Sequence, residues 1–261
     1  MSTDRKVSNH INFETENTRD SLARENKLRK FALTYKGEFT NNNPNTPSLW
    51  DDKFSKEEKV EVQDGMTKEK IKFITNCISA IDPPIKLLDI GIGQAFLEQE
   101  LKKNNIKFQL SAIDISKLSI RRSEKNYKAI GFVDDALNMD KYFKPKYFDV
   151  IVAIEVIEHI SPNKIFSFYK KVHSLLREGG LFIISTPLNE GLSHMKDNPS
   201  AHVREYTQQI LRAEFEISKF RILKTKTLIA FNKYYTFKKY LSKIFPNRWE
   251  PNNIIIVARK A

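Results

Sequence analysis

From Thr67 onward the chain alternates short apolar runs with longer stretches of helical periodicity, and this alternation constrains the fold most. "IKLLDI" (85–90), "FQLSAIDI" (108–115), "IGFVDDA" (130–136), "FDVIVAIEV" (148–156) and "LFIISTP" (181–187) read as five strands. Thr67 is placed as the N-cap of a helix whose Ile71, Ile74, Ile78 and Ile81 share a face before Pro83-Pro84 ends it. A second helix starts near Ala95, and "SKLSIRRSEKNYKAI" is a third. A fourth covers 161–180, with Gly179-Gly180 as its C-cap. Strands and helices in this rhythm imply a parallel sheet covered on both faces, an α/β three-layer sandwich. "FRILKTKTLIA" (220–230) and "NIIIVARK" (253–260) add two strands, the last expected to run antiparallel beside its predecessor.

Residues 1–50 are polar and asparagine-rich and read as an arm, with a helix expected over 18–33 and a loop over 39–48. Residues 51–261 form the domain, which carries a basic aromatic insertion at about 231–249. Cys77 is the only cysteine, which excludes an intramolecular disulfide and a multi-thiolate zinc site. No apolar run approaches the roughly 18–20 residues of a membrane span. No apolar stretch follows a basic one at the start, so a cytoplasmic location is expected, with peripheral contact to the inner membrane surface left open. Residues 218–261 hold eleven Lys/Arg against Glu250 alone, which is +10 of the net +12. Such a patch suits an anionic membrane surface, RNA or a phosphate-bearing substrate, or else it is a solvated face.

The stretch "LLDIGIGQAFLEQEL" (87–101) has Gly91 and Gly93 where a dinucleotide fingerprint begins, but Phe96 where its third glycine belongs. Three acids stand at three successive strand ends: Asp89, Asp114 and Asp135. Asp114 lies where an acid on the second strand accepts both ribose hydroxyls, and Asp135 is placed to reach an adenine amino group. A carboxylate beside the glycine turn repels a pyrophosphate. It suits a ligand with a ribose, an adenine, an ammonium and a cationic sulfur, which is S-adenosylmethionine. Gly91 and Gly93 then serve close approach of the main chain.

These segments together resemble the class I S-adenosylmethionine-dependent methyltransferases. "LLDIGIGQA" is similar to their D-x-G-x-G-x-G motif, with Ala95 at the last glycine. "AIDIS", "VDDALNM", "FDVIVAIEVIEHI" and "LLREGGLFIISTP" match in order and spacing from about 85 to 187. The resemblance implies a Rossmann-like, seven-stranded, mostly parallel sheet of order 3-2-1-4-5-7-6 with strand 7 antiparallel. It also implies a cofactor set of Asp89, Gly91, Gly93, Asp114, Ile115, Asp135, Ala136 and Glu155.

The acceptor is written less clearly. Glu155, Glu158 and His159 fall at i, i+3 and i+4, and a helical turn there would put them on one face, with His202 approaching from the loop after strand five. His159 and His202 are the candidate catalytic residues. The four residues also resemble the metal set of small-RNA 3′-terminal 2′-O-methyltransferases, and E-x-x-E-H recurs in ubiquinone-biosynthesis O-methyltransferases. In the bland alternative Glu155 borders the methionine part of the cofactor, His159 is structural, and Arg204 pairs with Glu205. A divalent metal is not expected on this reading. The expected activity is methyl transfer to a small-molecule or saccharide-type acceptor, at oxygen. A metal-assisted RNA 2′-O-methyltransferase and a non-catalytic cofactor-binding protein are the alternatives.

Overall fold

The computed structural model describes residues 26, 44–56, 65–190, 200–231, 234–245 and 248–260. The helix expected over 18–33 falls outside them except for Asn26. Helix α1 (Pro47–Lys56) runs across residue 50, where the arm was expected to end. After it come α2 (Gly65–Ile78), β1 (Ile85–Ile90), α3 (Phe96–Lys103), β2 (Phe108–Asp114), α4 (Lys117–Tyr127), β3 (Ile130–Val133) and a 3-10 turn (Ala136–Lys141). Next are β4 (Phe148–Ile154), a second 3-10 turn (Ile157–His159), α5 (Ile165–Leu175) and β5 (Leu176–Pro187). The chain finishes with α6 (Gln208–Ile217), β6 (Phe220–Leu228), α7 (Tyr235–Ile244) and β7 (Asn253–Lys260). Among the described residues no helix is long and apolar enough to cross a membrane.

The seven strands form one sheet in the order β3-β2-β1-β4-β5-β7-β6. All neighbours run parallel except β7, which is antiparallel to both β5 and β6. The expected topology is therefore present. Alternation along the strands splits the core into two layers. Leu88, Ile151, Phe182 and Ile256 face α5 and α6, whereas Leu87, Val150, Ile183 and Ile255 face the α2–α3 side.

Two local expectations are corrected. Helix α2 begins at Gly65, so Thr67 sits inside its first turn and is not its cap. Helix α5 stops at Leu175 and not at Gly179-Gly180. Leu176 is already extended because it pairs with Phe148, and the register then slips so that Val150 meets Leu181. The residues between form an irregularity in β5, where Gly179 takes a φ of +72°.

Residues 200–207 are held by backbone hydrogen bonds and a buried ion pair. Val203 N–H donates to the Glu158 carbonyl at 2.9 Å, and Asn189 N–H to the Tyr206 carbonyl at 3.0 Å. Arg204 pairs with Glu214 of α6 and not with Glu205, and both partners are 0% exposed. Tyr169 of α5 donates to the other Glu214 oxygen at 3.0 Å. Thr207 caps α6 by accepting from Ile210 N–H.

Breaking a buried pair leaves a charge stranded in a low-dielectric interior. Arg204→Met should therefore cost about 3–5 kcal/mol in urea unfolding, and Arg204→Met/Glu214→Leu should recover most of it. A double variant as unstable as the single one would show that packing, not charge, sets the loss.

Candidate cofactor and active site

The sheet order reverses between β1 and β4, and the crevice expected at such a switch point is present at their carboxyl ends. It is a cavity of about 920 Å³. Asp89, Gly91, Gly93, Asp114, Ile115, Asp135, Ala136, Glu155, His159 and His202 all line it. Its wall also carries Asp134 and Glu190, against two lysines among the described residues, Lys53 and Lys70. A chain with net charge +12 thus encloses an acidic cavity, which favours a cationic ligand over a pyrophosphate.

The glycine turn follows β1 directly. Gly91 has φ +71° and Gly93 φ +50°. A Cβ on Gly91 would lie 2.6 Å from Val156 Cγ2, and one on Gly93 would lie 3.2 Å from Phe54 Cζ. Glycine is thus required at 91 for conformation and for space. Ala95 also adopts the left-handed region, φ 56°, at the position where the resemblance puts a third glycine.

Asp114 ends β2 and receives Gly93 N–H at 3.0 Å and Ser116 N–H at 2.8 Å. Burial pushes its pKa up to about 6, and those two N–H groups oppose the rise. Asp89 faces a second buried acid, Glu98, from the first turn of α3. Burial and then the Glu98 charge hold Asp89 well above the carboxylate range, and burial lifts Glu98 to about 7. The pair therefore carries a proton near neutral pH. Asp135 is exposed and caps the 3-10 turn by accepting from Leu137 N–H at 2.8 Å. Asp134 beside it is tied to Asn138 and Tyr142.

Glu155 does not join the histidines. Its backbone is left-handed, φ 55°, and the 3-10 turn begins only at Ile157, so the i, i+3, i+4 face never forms. The carboxylate instead meets Lys70 and Ser185, each at 2.6 Å, and Asn253 at 3.1 Å. Burial works against its charge, but the Lys70 ammonium and these donors outweigh it, and the pKa is lowered.

Glu158, His159 and His202 do converge, with ligating atoms within 4.8 Å of one another. His159 Nδ1 donates to the Ala201 carbonyl at 3.1 Å. His202 Nδ1 meets both Glu190 oxygens at 2.8 and 2.9 Å. Glu158 accepts from Thr186 at 3.0 Å through one oxygen, while its Oε1 is buried without a hydrogen-bond partner. Burial and the Glu155 charge push its pKa far up. Burial, then His202, lower His159 to about 4, so it stays neutral. Trp50 closes this end edge-on to His159, with centroids 5.0 Å apart.

Trp50, Phe54, Lys70, Glu98 and Glu190 were not anticipated from sequence. Lys70 and Glu98 could have been found as charged residues in the buried phase of their helices, beside Ile71 and Leu97. Nothing in sequence points α1 at this crevice. There Asp51 accepts from Ser116 Oγ at 2.5 Å and ties α1 to the start of α4.

Two outcomes follow for the cofactor half. If Asp114 accepts the ribose hydroxyls, binding of S-adenosylmethionine measured by calorimetry should strengthen as pH rises through about 6, where Asp114 gains its charge. Asp114→Asn should bind roughly 10- to 150-fold more weakly at high pH and keep only the dependence nearer pH 7 from the Asp89–Glu98 pair. A flat profile in the parent protein would sink the assignment. Gly91→Ala should lose about 2–4 kcal/mol to left-handed strain and overpacking. Val156→Ala added to it should restore the packing part in thermal unfolding.

Comparison with known proteins agrees with this geometry. A family model described as a methyltransferase domain matches residues 62–225, more than half of the chain. A carboxy-S-adenosyl-L-methionine synthase from Campylobacter lari is 30% identical over 45% of this chain and 51% of its own. A ubiquinone biosynthesis O-methyltransferase from Pelagibacter ubique is 35% identical over 41% of this chain and 44% of its own. The chain thus spans about half the length of these two relatives. Among solved structures, the N-methyltransferase NodS from Bradyrhizobium japonicum, in complex with S-adenosyl-L-homocysteine, superposes with a TM-score of 0.60. It is 12% identical, over 81% of this chain and 98% of NodS. A SAM-dependent methyltransferase from Archaeoglobus fulgidus gives 0.57 at 18% identity over 82% and 99%. With its strand order, its glycine turn and the acidic crevice beside it, the chain belongs to the class I S-adenosylmethionine-dependent methyltransferases.

Proposed function

We propose that the protein transfers a methyl group from S-adenosylmethionine to a hydroxyl oxygen of a small-molecule or saccharide-type acceptor. One observation carries this reading: a single cavity holds both the strand-end acids and the His159–His202 pair. The name of the Pelagibacter ubique relative supports an oxygen acceptor. Displacement from a sulfonium has an activated leaving group, so the chain's task is to align the partners and to remove the hydroxyl proton. Glu190 holds the His202 proton on Nδ1, which places the basic lone pair on Nε2. His159, neutral with a pKa of about 4, orients rather than accepts.

A second reading rests on the same cluster. Both imidazoles direct Nδ1 to an oxygen acceptor, the arrangement that orients histidines as metal ligands. The orphaned Glu158 Oε1 is a buried acceptor that a cation would satisfy. Glu158, His159 and His202 would hold Mg²⁺ or Mn²⁺, and the bound ion would supply Lewis acidity to an acceptor oxygen. Glu155, engaged by Lys70, lies outside this set.

The two readings separate in one assay of turnover on phenols, saccharides and RNA bearing a 3′-terminal hydroxyl. If a metal serves, EDTA should suppress methylation, Mn²⁺ should restore it, and Glu190→Gln should weaken Mn²⁺ affinity or activity roughly 10- to 100-fold. Indifference to EDTA together with an inactive His202→Ala would leave His202 as the base alone. Methylation confined to RNA ends would replace the acceptor proposed here, and cofactor binding without any turnover would revive the non-catalytic alternative.

A further inference from the structure

Helix α7 is attached to the molecule by its polar side. Tyr235 donates to Glu69 Oε2 of α2 at 2.9 Å, and Lys239 pairs with the same carboxylate. Lys226 of β6 reaches the other Glu69 oxygen at 2.8 Å. Gly65 makes the close seat possible, because a Cβ there would collide with the Tyr235 ring. At about 100° per residue, Phe237 and Ile244 lie about 160–180° around the helix from Tyr235. They point away from the body. Phe237 and Tyr240 are each 63% exposed, Ile244 51% and the adjoining Phe245 53%, and no residue of the helix is buried. A helix serving the core does the reverse and turns its apolar stripe inward.

The margins of this face are basic. Lys238 and Lys243 fall on its two sides at about 60–80° from Tyr235. Arg248 follows beyond the helix, exposed and lying over the Trp249 ring. The surrounding 218–261 region holds +10 of the protein's net charge. A protein partner is a poor match, since lysine is depleted from protein interfaces. Bases of a single strand would stack on rings but would gain little from Ile244 and Leu241 between them. Aromatic and aliphatic side chains on one face with lysines at its edges fit the boundary between acyl chains and charged headgroups.

We propose that α7 is an interfacial helix that docks the protein on an anionic lipid bilayer, with Phe237, Tyr240, Ile244 and Phe245 entering the headgroup boundary and Lys238 and Lys243 meeting acidic headgroups. The proposal is independent of the acceptor and of the metal. The same helix α2 that anchors α7 through Glu69 lines the cavity with Thr67, Lys70 and Ile71, so the docking element adjoins the wall of the active site.

The test is sedimentation of the whole 261-residue chain with phosphatidylcholine vesicles, with and without phosphatidylglycerol, at low and high salt. The parent protein should bind the anionic vesicles and lose affinity as salt rises. Lys238→Gln/Lys243→Gln should weaken binding roughly 30-fold, from the usual worth of a basic residue at a charged membrane surface. Phe237→Ser/Tyr240→Ser/Ile244→Ser should abolish it at low salt as well. The substituted positions are exposed except for the half-buried Lys238, and unchanged calorimetric binding of S-adenosylmethionine confirms that each variant is folded. Absence of vesicle binding by the parent, or equal binding by the aromatic variant, overturns the proposal. So does binding of single-stranded RNA without vesicle binding. A lipid-independent dimer that the aromatic variant dissociates would overturn it in favour of a second copy.

Discussion

The Glu155 carboxylate joins four elements at the wall of the crevice. It stands just after β4 and receives Lys70 from α2, Ser185 from β5 and Asn253 from β7. Lys70 is only 3% exposed, so its charge depends on this partner. The left-handed backbone at Glu155 turns the chain sharply enough to aim the carboxylate back at α2 and to start the 3-10 turn that carries Glu158 and His159. One residue thus ties α2, β5 and β7 together and leads into the turn that carries His159. Removing the carboxylate would strand a buried ammonium and release β4, β5 and β7 from their common partner.

Much of the fold was legible because strands buried on both faces read as unbroken apolar runs. β1 and β7 have the extents read from sequence, 85–90 and 253–260. The errors arose where tertiary pairing overrides local signals. Gly179-Gly180 looks like a helix end, yet Leu176 is claimed by Phe148, so the helix must stop earlier. Arg204 beside Glu205 looks like a local pair, yet it pairs with the fully buried Glu214 on α6. Long-range partners of this kind leave no trace in spacing.

The positions expected at the strand ends all reach the cavity wall, since the ends of adjacent parallel strands converge by geometry. The histidine cluster was legible in part: His159 and His202 are close, at 4.9 Å between ring centroids, but Glu155 is diverted. The i, i+3, i+4 argument assumes α-helical backbone, and a left-handed residue at the start defeats it. The contribution of α1 was invisible for another reason. Trp50 and Phe54 belong to a polar stretch that covers the crevice, and its ties run from Trp50 to Asn45, from Asp51 to Ser116 and from the Phe54 carbonyl to Arg122 rather than into the core.

The acidity of the cavity bears on what happens after transfer. S-adenosylmethionine carries a positive sulfur, and Asp114, Asp134, Asp135, Glu155 and Glu190 of the wall carry more negative charge than Lys53 and Lys70 carry positive. Donating the methyl group leaves that sulfur neutral. The ribose and adenine of the spent cofactor are unchanged, but its sulfur has lost the charge that surrounding carboxylates attract. On the proposed methyl transfer, the wall that attracts the donor's charge therefore exerts no such pull on the neutral sulfur of the product.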